Sequence, residues 1–455
     1  MKPLLIVVLL AFAPVTAVAE DNPLPDEPTA ADVANDPVPG QESGRTDAKD
    51  EDDGALRKIG RGVLFVPRVL VEVGFAPVRA GVYAVDRTSA IDRFRQFFFN
   101  KTGTFGLYPI IQYDNVYGLN AGARFVHKDL FGANERASLK ASTGGRFAER
   151  FEGYIRSGQR LGDQATAELH AEFDRRPREP FYGIGNGDNM PLGRHRQELT
   201  RGTGTLDWRV AGPFHVVGAG TVTQLRYNPS SQSDIGGDAP IDTVYDPTML
   251  TGWNGAKYIY GELELRWDDR RSVDAFDIRD IPADGWLLSA FVGRVHQLAG
   301  TAGDYVRYGA DAQRFFRLGE GPRVLLARLH GEAVTGGYDE VVFTELPELG
   351  GGYLLRGYPW ERFRDRVATT ASLEYQWDLS DKFTMSLFAD GGRVYPAVRD
   401  IEFKDMRLGF GTGLQMHNSK GFVTSITMAS SIDGGFFVDV LFDPVYEVKP
   451  RVVHR

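Results

Sequence analysis

The sequence predicts an all-β fold: a sixteen-stranded antiparallel transmembrane β-barrel with a lumen-inserted loop and a short, partly helical N-terminal periplasmic segment. Three observations support this prediction. The 455 residues include 53 glycines and, with 6 Trp, 18 Tyr and 29 Phe, as many aromatic residues, whereas glycine ordinarily makes up only ~7% of a chain. From Thr104 onward apolar and polar residues alternate with a period of two, which is typical of strands with two different faces. No stretch after Asp53 approaches the roughly 18 apolar residues that indicate a membrane-spanning helix.

The alternating segments have the length of membrane strands. They include Thr166 to Asp174, Tyr258 to Asp268 and Ala371 to Asp378. Such segments run to about nine to eleven residues, the length that a tilted strand needs to cross a bilayer, and many end in an aromatic residue, as an interfacial girdle requires. A soluble β-sandwich also alternates, but its strands average about five or six residues. The pattern therefore favours a transmembrane barrel.

Sixteen segments carry this alternation, and an even number places both ends of a closed barrel on the same side of the membrane. The barrel is expected to span residues 104–442. The expected strand starts are Thr104, Tyr117, Glu135, Phe147, Thr166, Glu198, Pro213, Ala256, Gly285, Tyr305, Gly321, Arg366, Phe383, Asp405, Lys420 and Gly434.

Two segments at the start of the chain are distinct from the barrel. Residues 1–19 combine Lys2, an apolar run and Ala17-Val18-Ala19, which is the pattern of a secretory signal peptide. An uncleaved membrane anchor is the alternative, but the apolar run is shorter than the roughly 20 residues that a spanning helix needs. Residues 20–54 form an acidic tail, in which twelve acids and two bases give a charge of −10. Such a segment cannot bury enough apolar surface to fold, so we expect a disordered periplasmic tail.

Residues 55–103 form a basic periplasmic segment. Ala55 to Phe99 carries eight bases and three acids among Val, Leu and Phe. Pro67 and Pro77 divide any helix there into pieces, and the last piece keeps an approximate helical stripe. One interpretation is an amphipathic helix on an anionic lipid surface, and the other is a helix packed beneath a domain. A strand over Val63 to Phe75 also stays open.

The sequence indicates no catalytic site, cofactor or metal centre. The chain has no cysteine, which excludes disulfides, zinc ribbons, thiol nucleophiles and a lipidated N-terminal cysteine. It has no Gly-x-Ser-x-Gly or His-Glu-x-x-His motif. Glycine-rich stretches such as Gly183 to Gly187 lack the strand-to-helix context of phosphate-binding loops. We therefore expect no enzymatic activity and no nucleic-acid partner, with a barrel phospholipase as the enzymatic alternative.

One loop stands out by its composition. Gly350 to Pro359, followed by Arg362 to Asp365, lies in a connection between the eleventh and twelfth strands that has about thirty residues, and loops of this length are rarely structureless in a compact fold. Its glycines permit a sharp reversal of the chain. The loop can therefore fold back into the lumen and carry Arg356 with it.

Two acids on the next strands are placed to receive Arg356. Glu374 lies on the polar face of Ala371 to Asp378, and Asp390 shares a polar face with Thr384. A guanidinium clamped by carboxylates in a partly dry lumen makes charge-assisted hydrogen bonds, which are stronger than neutral ones. Loss of one partner would cost about 3 to 5 kcal/mol if the cluster is buried.

These motifs resemble the BamA/TamA superfamily of outer-membrane proteins, whose barrel is the bacterial surface antigen domain. The Val/Leu-Arg-Gly-Phe/Tyr loop tip of the family matches Leu355, Arg356, Gly357 and Tyr358. Its Arg-Phe-Arg element matches Arg362, Phe363 and Arg364, and Phe181 to Asn186 resembles another element of the family. Its Glu-Tyr/Phe pair and its Phe-x-Asp-x-Gly element match Glu374 with Tyr375, and Phe388, Asp390 and Gly392.

The resemblance implies a function as well as a fold. In the family a sixteen-stranded barrel holds the loop tip in its lumen, where the arginine meets acids of the wall. The family inserts proteins into the bacterial outer membrane, or moves protein or lipid components across it. For this chain it implies outer-membrane localisation, contact with outer-membrane lipids, and a periplasmic partner or client protein.

Two departures from the family pattern qualify that expectation. The POTRA domains that receive clients have three strands and two helices, a pattern that residues 20–103 lack, so we expect a POTRA-less member. Barrels of the outer membrane usually end in an aromatic residue, whereas a C-terminal extension, residues 443–455, follows Phe442, so the assembly signal is expected to be internal. The alternative function is a passive or structural channel without insertase activity, in which Arg356 only stabilises a closed barrel.

Overall fold

The computed structural model describes residues 97–114, 117–187, 190–272, 282–319, 323–380, 383–418 and 421–441. The signal peptide, the acidic tail and the C-terminal extension predicted from the sequence lie outside these residues, as does the basic segment up to residue 96. Within the described part of the chain, no helix is long and apolar enough to cross a membrane.

The described chain forms one large sheet with sixteen strands of six or more residues. The long strands are β1 (Phe105–Asp114), β2 (Gly118–His127), β3 (Arg136–Gly144), β4 (Phe147–Arg156), β5 (Ala165–Phe181), β6 (Gly193–Ala211), β7 (Phe214–Pro229), β9 (Ala256–Asp268), β11 (Pro282–Gly300), β12 (Tyr305–Arg317), β13 (Arg323–Val334), β16 (Val367–Ser380), β17 (Phe383–Tyr395), β18 (Arg407–Asn418), β19 (Gly421–Ser431) and β20 (Phe436–Leu441). Two-residue strands are β8 (Ala239–Pro240), β10 (Arg271–Ser272), β14 (Glu348–Leu349) and β15 (Phe363–Arg364). Short helices are Gln232–Ile235 and Ile241–Val244, and 3₁₀ turns are Pro247–Met249 and Val398–Asp400.

Each long strand pairs antiparallel with the next one along the chain. The first strand, β1, and the last, β20, lie beside each other, so the sheet curls into a barrel. The predicted sixteen strands are confirmed, and most of them begin within two residues of the expected position. The exceptions are β6, which begins at Gly193 rather than Glu198, and β11, which begins at Pro282 rather than Gly285.

Several strands are longer than the predicted nine to eleven residues. β5 has 17 residues, β6 has 19, β7 has 16 and β11 has 19. The extra residues extend past the bilayer, because charged pairs lie on the outer face there. Arg175 Nε donates to Glu198 at 2.9 Å, and its Nη1 donates to Glu149 at 3.2 Å. Such charged pairs are stable in water or among lipid headgroups, whereas they are costly in the hydrocarbon core.

The alternation predicted from the sequence separates a lipid face from a lumen face. On β9, Glu262 and Glu264 are buried in the lumen, whereas Leu263 and Leu265 are about half exposed on the outside. Trp267 lies near the end of the same strand. The exposed Trp208, near the end of β6, and Trp286, near the start of β11, lie at the same end of the barrel. This row of indoles is the interfacial girdle that the aromatic strand ends predicted.

The two longest connections, residues 230–255 and 335–366, lie at the end of the barrel opposite the Trp girdle, together with residues 182–192 and 396–406. Barrels of the outer membrane place their longer loops outside the cell, so this is the extracellular end. Residues 230–255 and 335–347 close it with an apolar cluster in which Ile241, Val341, Val342 and Phe343 are buried against Tyr227 of the wall.

Candidate functional site

The connection between β13 and β16 is an ordered loop that folds back on itself. Its strands β14 and β15 pair with each other, so that Glu348 lies opposite Arg364 and Leu349 lies opposite Phe363. Gly350 turns the chain directly after β14 with φ +123°, a conformation that residues with a Cβ rarely adopt. The chain therefore leaves β14, forms a tip and returns as β15.

The tip of the loop, Leu355 to Tyr358, contacts the barrel wall. Gly357 has φ +93°, and a Cβ there would lie 2.2 Å from the backbone oxygen of Ser430 on β19. Leu355 is fully buried. Tyr358 donates from Oη to Asp433 at 2.8 Å. The tip thus packs so closely that only glycine fits at its third position.

Arg356 lies between Asp390 and Glu374. Its Nε and Nη2 donate to the two oxygens of Asp390 at 2.7 and 2.8 Å, and its Nη1 donates to Oε2 of Glu374 at 2.6 Å. The backbone N–H of Arg356 also donates to Asp390, at 3.0 Å. The guanidinium carbon lies 3.5 Å from the ring centre of Phe388. Only 3% of Arg356 is exposed, so the charge is held almost entirely by these groups.

The register of β16 and β17 explains why both acids reach the same arginine. Glu374 lies opposite Phe388 and Ser372 lies opposite Asp390. Since side chains alternate along a strand, the two acids share the lumen face on neighbouring strands, two residues apart in register. Gln376 donates to the other side of Glu374 at 2.9 Å, which fixes that carboxylate further.

The second half of the motif contacts the barrel differently. Arg362 donates to the backbone oxygen of Gly187 at 3.0 Å and lies over the ring of Tyr182. Arg364 donates to the backbone oxygen of Phe343 at 2.9 Å and to Glu348 at 2.8 Å. Phe363, between them, is fully buried in the apolar cluster that also holds Leu355. Arg364 therefore ties the returning arm of the loop to its own base, while Arg362 faces the connection after β5.

The Phe181 to Asn186 element packs against this returning arm. The N–H of Gly185 donates to the backbone oxygen of Arg364 at 2.7 Å. The side chain of Asn186 accepts from the N–H of Val394 at 3.0 Å and donates to the carbonyl of the same residue. The segment thus joins the loop to β17, a contact that the sequence did not indicate.

Glu361 is the residue of the loop that sequence reasoning missed. It bonds to Arg146, the residue just before β4, and accepts from Arg364 at 2.8 Å. Arg146 donates from Nε to Glu179 at the end of β5 at 2.9 Å. Arg176 donates to Asp174 on the same strand at 2.8 Å. These residues form a second ion-pair cluster, on the part of the wall made by β4 and β5.

The charges around Glu361 keep it ionised. Burial opposes ionisation, but the positive charges of Arg146 and Arg364 outweigh it and lower the pKa of Glu361 to about 2. The residue has φ +59°, which is uncommon for a residue with a Cβ. No periodic pattern marks a single acid in a loop, and its partner on the wall lies 215 positions away in the sequence. The sequence therefore offered no signal for this contact.

The two clusters hold one loop against opposite sides of the barrel. Eight strand positions separate β4 from β16 among the sixteen long strands, which is half of the circumference. Among the described residues, no group of His, Asp or Glu is arranged to hold a metal ion. The chemistry that the site offers is charge pairing, which can hold a loop in place and can be released without breaking a covalent bond.

Comparison with known proteins agrees with the resemblance predicted from the loop motifs. The Omp85 superfamily domain matches residues 129–422, well over half of the chain. The fold is similar to that of BamA from Haemophilus ducreyi lacking POTRA domains 1-3, with 13% sequence identity and a TM-score of 0.55 over 74% of this chain and 70% of that chain. CdiB from Acinetobacter baumannii and CdiB from Escherichia coli match with 10% identity and TM-scores of 0.47 and 0.48, over 59% and 62% of those chains. The chain belongs to the Omp85 superfamily and is a β-barrel protein of the bacterial outer membrane.

Proposed function

We propose that this barrel serves outer-membrane assembly or the transport of protein or lipid across the outer membrane, and that the loop Gly350 to Asp365 is its moving part. The proposed activity is not enzymatic. The observation that carries the proposal is the loop itself, which crosses the lumen and is tethered on one wall by Arg356 and toward the opposite wall by Glu361.

A passive channel fits these contacts less well. A channel needs a continuous polar path from one mouth to the other. Here the loop occupies the lumen, and Val341, Val342 and Phe343 close the extracellular end with apolar side chains. Transport through such a barrel requires the connection 335–366 to move. Ordered loops that are held by a few ion pairs are suited to such two-state rearrangements.

We also propose outer-membrane lipids and a client protein as partners of the barrel. The outer face of the barrel contacts outer-membrane lipids, because its half-exposed leucines require hydrocarbon around them. A client protein, or a separate periplasmic protein that delivers it, would approach from the end with the Trp girdle.

A reversible lock on the loop tests the proposal. The chain has no natural cysteine, and a Cβ built at Gly303 lies 3.1 Å from Cβ of Glu340, close to the separation in a disulfide. Gly303→Cys with Glu340→Cys would therefore tie the first part of the connection 335–366, which includes the apolar residues Val341 to Phe343 at the extracellular end, to the turn between β11 and β12. Cells that carry only this variant are compared with cells that carry either single variant, in oxidising medium and after addition of a reductant.

The readout is the protein and lipid composition of the outer membrane. We expect the locked variant to reproduce the defect of cells that lack the chain, and the reductant to restore the wild-type composition. A locked barrel that supports the wild-type composition would contradict the claim that the connection 335–366 moves as a whole. If cells without the chain have an unchanged outer membrane, the assembly or transport role itself is wrong.

A further inference from the structure

A groove of about 930 Å³ lies in the outer, lipid-facing surface of the barrel. It crosses strands β5, β6, β7, β9 and β11 and reaches β12. The outward-facing side chains along it include Leu169, Leu206, Leu263, Val292 and Arg294. All but the last are apolar, so the groove has the chemistry of the surrounding hydrocarbon with a single cation at one side.

A row of glycines forms the floor of the groove. Gly204 lies opposite Gly220 across β6 and β7, and Gly220 lies opposite Gly261 across β7 and β9. A Cβ added at Gly220 or at Gly261 would meet nothing within 4 Å. Glycines in the interior of a strand are destabilising relative to alanine, because they lose more backbone freedom on folding. Crowding inside the protein does not require these glycines, and their effect is to leave space on the lipid side.

Larger residues border the floor on both sides along β9 and on one side along β7, where Gly218 continues the floor on the other side. On β9, Ile259 and Leu263 stand two residues on either side of Gly261, and on β7 Val222 stands above Gly220. The four-residue separation of Ile259 and Leu263 corresponds to about 13 Å along a strand. Between their side chains this leaves room for one hydrocarbon chain, whereas an empty groove would forfeit the van der Waals contacts of its lining.

The groove lies at the depth of the membrane. Gly261 is six residues from Trp267 of the interfacial girdle and four residues from Lys257 on the extracellular side. The molecules that surround a barrel at this depth are lipids, so a lipid chain is the occupant that the position supports.

Arg294 adds a charge to this apolar site. It lies on β11 directly opposite Gly261, and 72% of its side chain is exposed on the outer face. Its nearest carboxylate, Asp304, is 3.5 Å away and already accepts from His296 at 2.7 Å. An arginine on the lipid face of a barrel is unfavourable, most of all at mid-membrane. A lipid phosphate within reach of the long side chain would compensate for this.

We infer that the groove is a binding site for an anionic phospholipid. One acyl chain lies over Gly204, Gly220 and Gly261 between the apolar walls, and the phosphate lies at Arg294. The groove lies on the outer side of the wall, whereas Gly350 to Asp365 lies in the lumen, and the groove residue bonded to the connection 335–366 is Val306, which pairs with Thr335 where that connection begins. The site can therefore be tested separately from the proposed transport role.

Native mass spectrometry of the full, detergent-solubilised chain tests this inference. The protein is titrated with phosphatidylglycerol and with phosphatidylcholine of identical acyl chains. Gly220→Leu fills the floor, and Arg294→Gln removes the charge. Gly331→Leu is the matched control, because Gly331 is also a strand glycine whose added Cβ would meet nothing within 4 Å, and it lies on β13, outside the groove.

For the wild type we expect retention of phosphatidylglycerol at a roughly tenfold lower concentration than phosphatidylcholine, a difference of about 1.4 kcal/mol. Gly220→Leu should weaken retention of both lipids about tenfold, Arg294→Gln should abolish the preference, and Gly331→Leu should behave as the wild type. Equal retention of both lipids by all four proteins means annular lipid only and overturns the site. If Gly220→Leu fails to fold, Gly261→Val and Arg294→Gln decide the question by the same criteria.

Discussion

Arg356 and Glu361 lie five positions apart in one loop and are held by opposite walls of the barrel. Arg356 is bonded to Asp390 and Glu374 on β17 and β16, whereas Glu361 is bonded to Arg146, which precedes β4. A short piece of chain therefore spans the lumen between two ion-pair clusters. Release of either cluster would free one arm of the loop, so the two anchors can be tested separately.

The first prediction concerns the Arg356 anchor. Arg356→Ala leaves two buried carboxylates without their shared cation, which is expected to destabilise the barrel by about 3 to 5 kcal/mol. Asp390→Asn should cost less, and Glu374→Gln less again, because Arg356 donates three hydrogen bonds to Asp390 and one to Glu374. The temperature at which the folded band disappears in heat-modifiable gel electrophoresis gives the order. Identical mobility of all three variants and the wild type at every temperature would refute the anchor.

The second prediction concerns the contact between Glu361 and Arg146. Glu361→Gln, Arg146→Gln and the double variant form a double-mutant cycle, and we expect a coupling free energy of roughly 1 to 3 kcal/mol because the pair is mostly buried. The more exposed pair of Arg175 with Glu198 on the outer face serves as the control, with an expected coupling of about 0 to 1 kcal/mol. Equal coupling in the two cycles would mean that Glu361 does not anchor the loop.

The third prediction is a pH dependence with a defined sign. The charges of Arg146 and Arg364 outweigh burial and lower the pKa of Glu361 from 4.5 to about 2. A lowered pKa stabilises the folded state fully above the unfolded value, and this stabilisation is lost as the pH falls from 4.5 toward 2. The stability difference between wild type and Glu361→Gln should therefore be constant from pH 8 to pH 5 and shrink below pH 4.5. A difference that has already vanished at pH 6 would contradict the assignment.

The fourth prediction separates backbone strain from loop contact. Gly357 and Gly434 have φ +93° and +89°, but only Gly357 has a wall atom within reach of an added Cβ, the Ser430 oxygen at 2.2 Å. Alanine at either position incurs the left-handed strain of about 1 to 2 kcal/mol. Gly357→Ala must in addition push the loop tip away from β19, so it should increase protease cleavage within the loop. Gly434→Ala should leave the loop as resistant as in the wild type.

Most of the fold could be predicted from the sequence, because each barrel strand alternates side chains that face lipid with side chains that face the lumen. Leucines of β9 that face lipid alternate with glutamates that face the lumen, and this period of two is local information. The predicted starts of β6 and β11 lie later in the sequence than the observed ones. The residues at those ends extend past the bilayer, so their outward side chains need not be apolar and the alternation is lost. The alternating pattern shows which residues cross the bilayer, but a strand can continue beyond the bilayer surface.

Only part of the candidate site could be predicted from the sequence. Arg356, Glu374 and Asp390 could be named because a strand face predicts which acids point inward and a motif marks the loop tip. Arg146 and Glu179 could not be connected with Glu361, since their meeting depends on how far the loop reaches across the lumen. That distance is a property of the closed barrel and is not encoded in any local segment.

Conductance of the full chain in planar lipid bilayers tests the central claim most directly. A barrel whose lumen is crossed by a loop with anchors at Arg356 and Glu361 should show little steady conductance. The combined variant Arg356→Ala with Glu361→Gln should open more often than the wild type, because the loop then keeps only its remaining contacts, such as those of Tyr358 with Asp433 and of Arg364 with Phe343. A large and steady conductance of the intact wild-type chain, unchanged in the double variant, would contradict the account.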